Sequence, residues 1–94
     1  MAIGLGIDAG GTATRWLLLE DDRELARGQV ESITGHIFTP EDKKRNVSRL
    51  EQLCKDVLQV SVPNAVVSGF TGLHINTEGS RVFSEILAEH FKLP

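Results

Sequence analysis

The stretch Gly4-Leu5-Gly6-Ile7-Asp8-Ala9-Gly10-Gly11-Thr12-Ala13-Thr14-Arg15-Trp16-Leu17-Leu18-Leu19-Glu20 constrains the fold more than any other. Ile3, Leu5 and Ile7 alternate with small residues, which predicts a strand that buries one face and packs closely on the other. Asp8 stands where that strand ends. Gly10 and Gly11 then permit a reversal, with Thr12 and Thr14 adding hydroxyls. Trp16 to Leu19 form a nearly continuous apolar run, the pattern of a strand covered on both faces. A glycine pair in such a hairpin can serve only to turn the chain. Alternatively, its bare amides meet phosphate oxygens while the neighbouring carboxylate holds a hydrated Mg²⁺, directly or through water. The residues leave both readings open.

A dinucleotide-binding fingerprint is excluded by order. Its glycines must lie between a strand and a helix, whereas Gly4 and Gly6 fall inside the strand and a second strand follows Gly11. The remaining bounds come from composition. The 94 residues suffice for one domain with a modest core. A net charge of −3 offers no electrostatic case for nucleic acid or an anionic membrane. The sequence has no apolar run near the roughly 20 residues that span a bilayer, and Met-Ala-Ile-Gly lacks the basic start of a signal peptide. One cysteine, Cys54, precludes an internal disulfide and fits a reducing compartment, so a cytoplasmic location is expected.

Farther along, Glu20-Asp21-Asp22-Arg23 predicts a hairpin turn, and Leu25 to Val30 a third, edge strand with a bulge at Gly28. Ser32 to Thr39 reads as an irregular link containing Gly35 and His36. Thr39-Pro40-Glu41-Asp42 is a helix start: a capping hydroxyl, a proline at the first position and acids at the positive end of the dipole. Val47, Leu50, Leu53, Cys54, Val57 and Leu58 supply its apolar stripe, with Cys54 as a buried, inert thiol. Pro63 prevents continuation of the helix, and Asn64 to Gly69 predict a short, buried fourth strand. Phe70 to His74 form a second glycine-bearing loop. It is either a plain connection or one wall of the cleft that Asp8 faces, since ligands collect at the carboxyl ends of strands in open α/β sheets. Thr77 to Ser80 open a second helix, in which Val82, Phe83, Ile86, Leu87, His90 and Phe91 share a face. The expected order is β-β-β-α-β-α.

That order, with Gly6-Ile7-Asp8-Ala9-Gly10-Gly11-Thr12-Ala13-Thr14-Arg15 at the first hairpin, resembles the actin-like ATPase superfamily of sugar kinases, actin and chaperones. With Thr34-Gly35-His36 and Val67-Ser68-Gly69-Phe70-Thr71-Gly72, the chain is most similar to the N-acetylglucosamine kinase-like group, the BadF/BadG/BcrA/BcrD-type ATPases. The resemblance implies an α/β, ribonuclease H-like half with a mixed sheet, incomplete across residues 1–94. It implies ATP and Mg²⁺ as cofactors, with Asp8 organising the metal. Gly10, Gly11 and Thr12 would cradle the β- and γ-phosphates, with Thr14 and Arg15 flanking that loop. Gly35 and His36 would lie near the sugar, although some relatives carry asparagine at the Gly35 position. Gly69 and Gly72 would border the cleft.

The function so implied is the phosphate-binding part of an ATP-dependent kinase of an amino sugar such as N-acetylglucosamine or glucosamine. In that family the catalytic base and the adenosine-binding lobe lie downstream, so no catalytic residue is expected among these 94 and the piece alone is expected to be inactive. Expected partners are the small-molecule sugar, with no nucleic acid and no membrane, and a homodimer is left open. The alternatives are an ATPase that activates a 2-hydroxyacyl-CoA dehydratase or benzoyl-CoA reductase, a non-catalytic ATP-binding scaffold, and a complete small binding module. The kinase expectation is checked by intact mass: the native gene product should greatly exceed 10.3 kDa, and a product of that mass would sink it.

Overall fold

The computed structural model describes residues 2–10, 12–34, 39–70 and 78–93. The chain forms β1 (Ile3–Ala9), β2 (Ala13–Glu20), β3 (Arg23–Glu31), α1 (Pro40–Leu58), β4 (Ala65–Phe70) and α2 (Glu78–Phe91). This is the order that the hydrophobic patterning predicts. The sheet runs β3-β2-β1-β4. β1 is antiparallel to β2, β2 is antiparallel to β3, and β1 is parallel to β4. Parallel neighbours require a long crossover, and the return to the side of β1 passes through α1.

Strand alternation decides which face each side chain occupies. Leu5, Ile7 and Ala9 of β1 and Trp16 and Leu18 of β2 are buried on one face. There they form a single core with Ile33, with Leu50, Leu53, Cys54 and Val57 of α1, and with Phe83, Leu87 and Phe91 of α2. Each such aliphatic or aromatic side chain contributes about 1.5–3 kcal/mol on burial. Both helices therefore cover the same face.

The opposite face carries Gly4, Gly6, Asp8, Arg15, Leu17 and Val67, and no described helix packs on it. Val67 is 78% exposed. A Cβ added at Gly4 would meet nothing within 4 Å, and one at Gly6 only the Leu17 backbone oxygen at 4.0 Å. Three expectations are corrected here. The small residues of β1 do not pack closely on a second layer among the described residues. Among the described residues nothing covers the second side of β2, and Leu17 is half-exposed. Among the described residues, too, β4 is an edge strand with Ala65, Val67, Ser68 and Gly69 exposed, rather than a buried one.

The β2–β3 turn is made by Asp21 and Asp22, with Asp21 at φ 55°, a left-handed conformation that aspartate tolerates better than most residues. The bulge in this pair does not lie at Gly28. The register shifts between Leu18 and Leu19, which face Ala26 and Glu24, so Leu25 is the extra residue. Gly28 instead lies opposite Trp16. A Cβ there would stand 2.7 Å from Cζ2 of the indole, so the ring lies flat on bare backbone. At the other end of the sheet, Ile3 N–H donates to Asn64 Oδ1 (2.9 Å) and Asn64 N–H to Ile3 O (2.7 Å), pinning the start of β4 to the start of β1.

Thr39 caps α1 as expected, its hydroxyl accepting from Asp42 N–H at 3.1 Å with Pro40 next in line. Asn46, rather than Val47, occupies the buried stripe. His90 on α2 is half-buried, with Nε2 3.7 Å from the Glu51 carboxylate of α1. No helix among the described residues is long and apolar enough to cross a membrane.

Two outcomes are expected. Gly28→Ala forces the Trp16 ring to move and lowers unfolding free energy by about 1–3 kcal/mol, whereas Gly4→Ala changes it by less than about 0.5 kcal/mol, both read by urea titration. Burial, reinforced by the Glu51 carboxylate, pushes the Cys54 thiol from 9.0 up to about 12. Between those values the unfolded chain releases a proton that the folded chain keeps, so stability falls as pH rises. The wild type should lose roughly 1 kcal/mol more than Cys54→Ala between pH 8 and pH 10, and the native thiol should resist iodoacetamide until the chain unfolds.

Candidate functional site

The parallel β1–β4 pair brings two carboxyl ends together. Asp8 is in register with Gly69 on one side and with Arg15 of β2 on the other. Its side chain projects from the helix-free face and is exposed. Neither Asp8 nor Arg15 makes a side-chain hydrogen bond or ion pair among the described residues, although they stand directly across from one another. The carboxylate and the guanidinium therefore remain available to a ligand. Both line an open depression of about 600 Å³ together with Gly6, Leu17, Gln29 and Val67.

Immediately beyond Asp8 the chain reverses from β1 into β2. Gly10 departs from the expected role. It is not in the left-handed region, and a Cβ would meet only Ala13 O at an ordinary 3.5 Å. Its N–H donates to Ala13 O at 3.0 Å, so this amide is not bare. Its carbonyl accepts from Ser32 Oγ, also at 3.0 Å. Thr12 is exposed and makes no hydrogen bond among the described residues, which leaves it free to contact an anion.

Thr14 is corrected more sharply. It is 0% exposed, and its Oγ1 accepts from Ile33 N–H at 2.9 Å. Alternation places it on the core face with Trp16 and Leu18, so its hydroxyl anchors the hairpin and does not face a nucleotide. Gly11, Gly35, His36 and Gly72 lie outside the described residues. Their described neighbours, Gly10, Thr34 and Phe70, all stand at the Asp8 end of the sheet.

Three residues that sequence patterning misses organise this end. Asn46, 2% exposed, accepts from Thr34 N–H through Oδ1 at 3.2 Å, while its Nδ2 finds no partner among the described residues. Arg49 donates to Ser32 O at 2.6 Å and pairs with Glu31 at 2.9 Å. Ser32 completes the set through Gly10. Only Asn46 leaves a trace in the sequence: it sits four residues before Leu50, inside the apolar stripe, where an amide needs a reason. The described residues contain no cluster of three or more Asp, Glu, His or Cys that could hold a metal. Cys54 is fully buried, so the one thiol is neither ligand nor nucleophile here.

No family model matches the chain, and no curated protein does. Solved structures do match. RuvC of T. thermophilus, in complex with a Holliday junction substrate, aligns over 100% of this chain and 62% of its own, at 19% identity and a TM-score of 0.59. A Chromobacterium violaceum protein assigned as an N-acetylglucosamine kinase aligns over 90% of this chain and 31% of its own, at 22% identity and a TM-score of 0.56. The chain thus spans less than two thirds of either neighbour. Identities this low speak to architecture alone, and on that they agree with the strand order, the mixed pairing and the helix placement: the chain has the ribonuclease H-like α/β fold.

Proposed function

We propose that this chain is the phosphate- and metal-binding part of an ATP-dependent phosphotransferase acting on a sugar hydroxyl, an amino sugar such as N-acetylglucosamine or glucosamine being the favoured acceptor. One observation carries the reading. A free, exposed carboxylate at the end of β1 is followed at once by a glycine- and threonine-bearing turn, with an unpaired arginine across from it and an uncharged Gly69 beside it.

The donor set suits Mg²⁺ carried by a nucleotide. That ion keeps several waters and is held by one or two carboxylates plus substrate phosphates, so Asp8 alone is a sufficient protein ligand. When bound, it would neutralise charge on the phosphates during transfer. Thr12, with the turn amides of Gly11 and Ala13, would contact phosphate oxygens, and Arg15 would offset charge on the transferring group. The base that orients the sugar hydroxyl is assigned to residues outside these 94, in a longer protein. In that arrangement Gly35, His36 and Gly72 would contact the sugar side.

Hydrolysis of nucleic acid is the second reading, favoured by the match to RuvC over the whole of this chain. Two-metal cleavage needs several converging carboxylates. Residues 57–77, which span β4 and the stretch up to α2, contain no Asp or Glu, so the strand beside Asp8 offers no second acid. An ATPase activator built on an iron–sulfur cluster needs accessible thiolates; Cys54, enclosed in the core, supplies none, so the cluster ligands of such a protein would lie outside these 94 residues. A non-catalytic nucleotide-binding scaffold would share the Asp8 site but not sugar dependence.

The test has two arms. Calorimetric titration of the 94-residue chain with Mg²⁺·ATP should show binding that weakens at least about tenfold in Asp8→Asn and on chelation of the metal. Equal affinity in all three conditions would refute the assignment of Asp8. In the intact gene product, ADP release should rise on addition of an amino sugar, and sugar-independent turnover would favour the scaffold.

A further inference from the structure

The turn beyond Asp8 is held from outside its own hairpin, on both sides of its tip. Before the tip, the Gly10 carbonyl accepts from Ser32 Oγ at 3.0 Å. After it, Thr14 Oγ1 accepts from Ile33 N–H at 2.9 Å. The two partners are consecutive residues of the link between β3 and α1. That link is in turn fastened to α1: Thr34 N–H donates to Asn46 Oδ1, Ser32 O accepts from Arg49, and Arg49 also pairs with Glu31. None of these contacts belongs to a strand ladder or to the helix itself. The Gly10 residue is engaged at both its N–H and its carbonyl, so a change at the tip that rotates it is felt at Ser32. Likewise, the Ile33 amide cannot shift without leaving Thr14 or carrying it along, because a buried amide has no water to replace the lost acceptor.

We infer that Ser32 and Thr14 are positioning residues that couple occupancy of the phosphate turn to the geometry of the link and of the α1 residues bonded to it. This inference rests on the phosphate reading of the turn proposed above. Asn46 and Arg49 carry the displacement onward into α1. Coupling of this kind is reciprocal for binding free energies. Any ligand that engages the link therefore changes affinity at the turn by the same factor as phosphate at the turn changes affinity at the link.

The test is ¹⁵N NMR of the 94-residue chain titrated with Mg²⁺ and inorganic tripolyphosphate, which probes the turn without an adenosine site. In the wild type, the Thr12 and Ala13 amides should shift, and those of Ile33, Thr34 and Asn46 should shift along the same saturation curve. In Ser32→Ala the turn amides should still respond, while the shifts at Ile33 and Thr34 at equal saturation fall to less than about half. Ser32→Thr, which keeps the hydroxyl, should restore them. Thr14→Val should behave as Ser32→Ala does, and Thr14→Ser as the wild type. If Thr14→Val does not fold, Ser32→Ala, at a half-buried site, decides. Unchanged link shifts in Ser32→Ala overturn the coupling, as does a wild-type link that stays still while the turn responds. A turn that does not respond at all overturns the phosphate reading and the coupling with it.

Discussion

The parallel pairing of β1 with β4 is the interaction on which the rest of the molecule depends. The first three strands alone would be a meander, and Asp8 would stand at the end of a hairpin with nothing on one side. By inserting α1 before β4, the chain sets a second carboxyl end beside the first and closes the core face with a helix in the same step. It also fixes polarity: the tip of the β1–β2 hairpin, the end of β3 and the end of β4 all fall on one rim of the sheet. A site assembled on that rim draws on segments far apart in sequence, and the bonds among residues 10, 14, 32, 33, 34, 46 and 49 show how densely they are knit.

Much of this is legible in the sequence because each element carries its own local signal. The Thr39-Pro40 start, the Asp21-Asp22 turn and the stripe through Leu50, Leu53 and Val57 need no tertiary information, and all are present. The departures share a cause. Whether Leu17 or Val67 meets a second layer depends on what packs there, and an apolar residue reads the same whether or not something does. Gly28 reads as a bulge because glycines in strands often are; its actual reason, the Trp16 ring, is on another strand. Thr14 reads as a phosphate donor because it follows a glycine turn, yet period-two alternation turns it inward. Ser32 and Arg49 act through a few isolated long-range contacts that have no periodicity to detect.

The chemistry of the rim is decided as much by what flanks Asp8 as by Asp8 itself. In the proposed role, Asp8 flanked by a glycine and an arginine rather than by a second acid would take a metal that arrives with its own anionic ligands. The match to RuvC and the match to a chain assigned as an N-acetylglucosamine kinase show a shared ribonuclease H-like frame, and a frame by itself does not decide function.

The paired hydrogen bonds between Ile3 and Asn64 stand at the end of the sheet remote from Asp8, and they act as a gauge. Five positions separate Ile3 from Asp8 and five separate Asn64 from Gly69, a run of roughly 17 Å at about 3.3 Å per residue. Fixing the zero mark at one end fixes which residue reads against Asp8 at the other. A slip of one position would seat Ser68 or Phe70 there and turn the side chains of β4 to the opposite face. The amide of Asn64, far from any ligand at the rim, thereby sets the neighbour of the carboxylate.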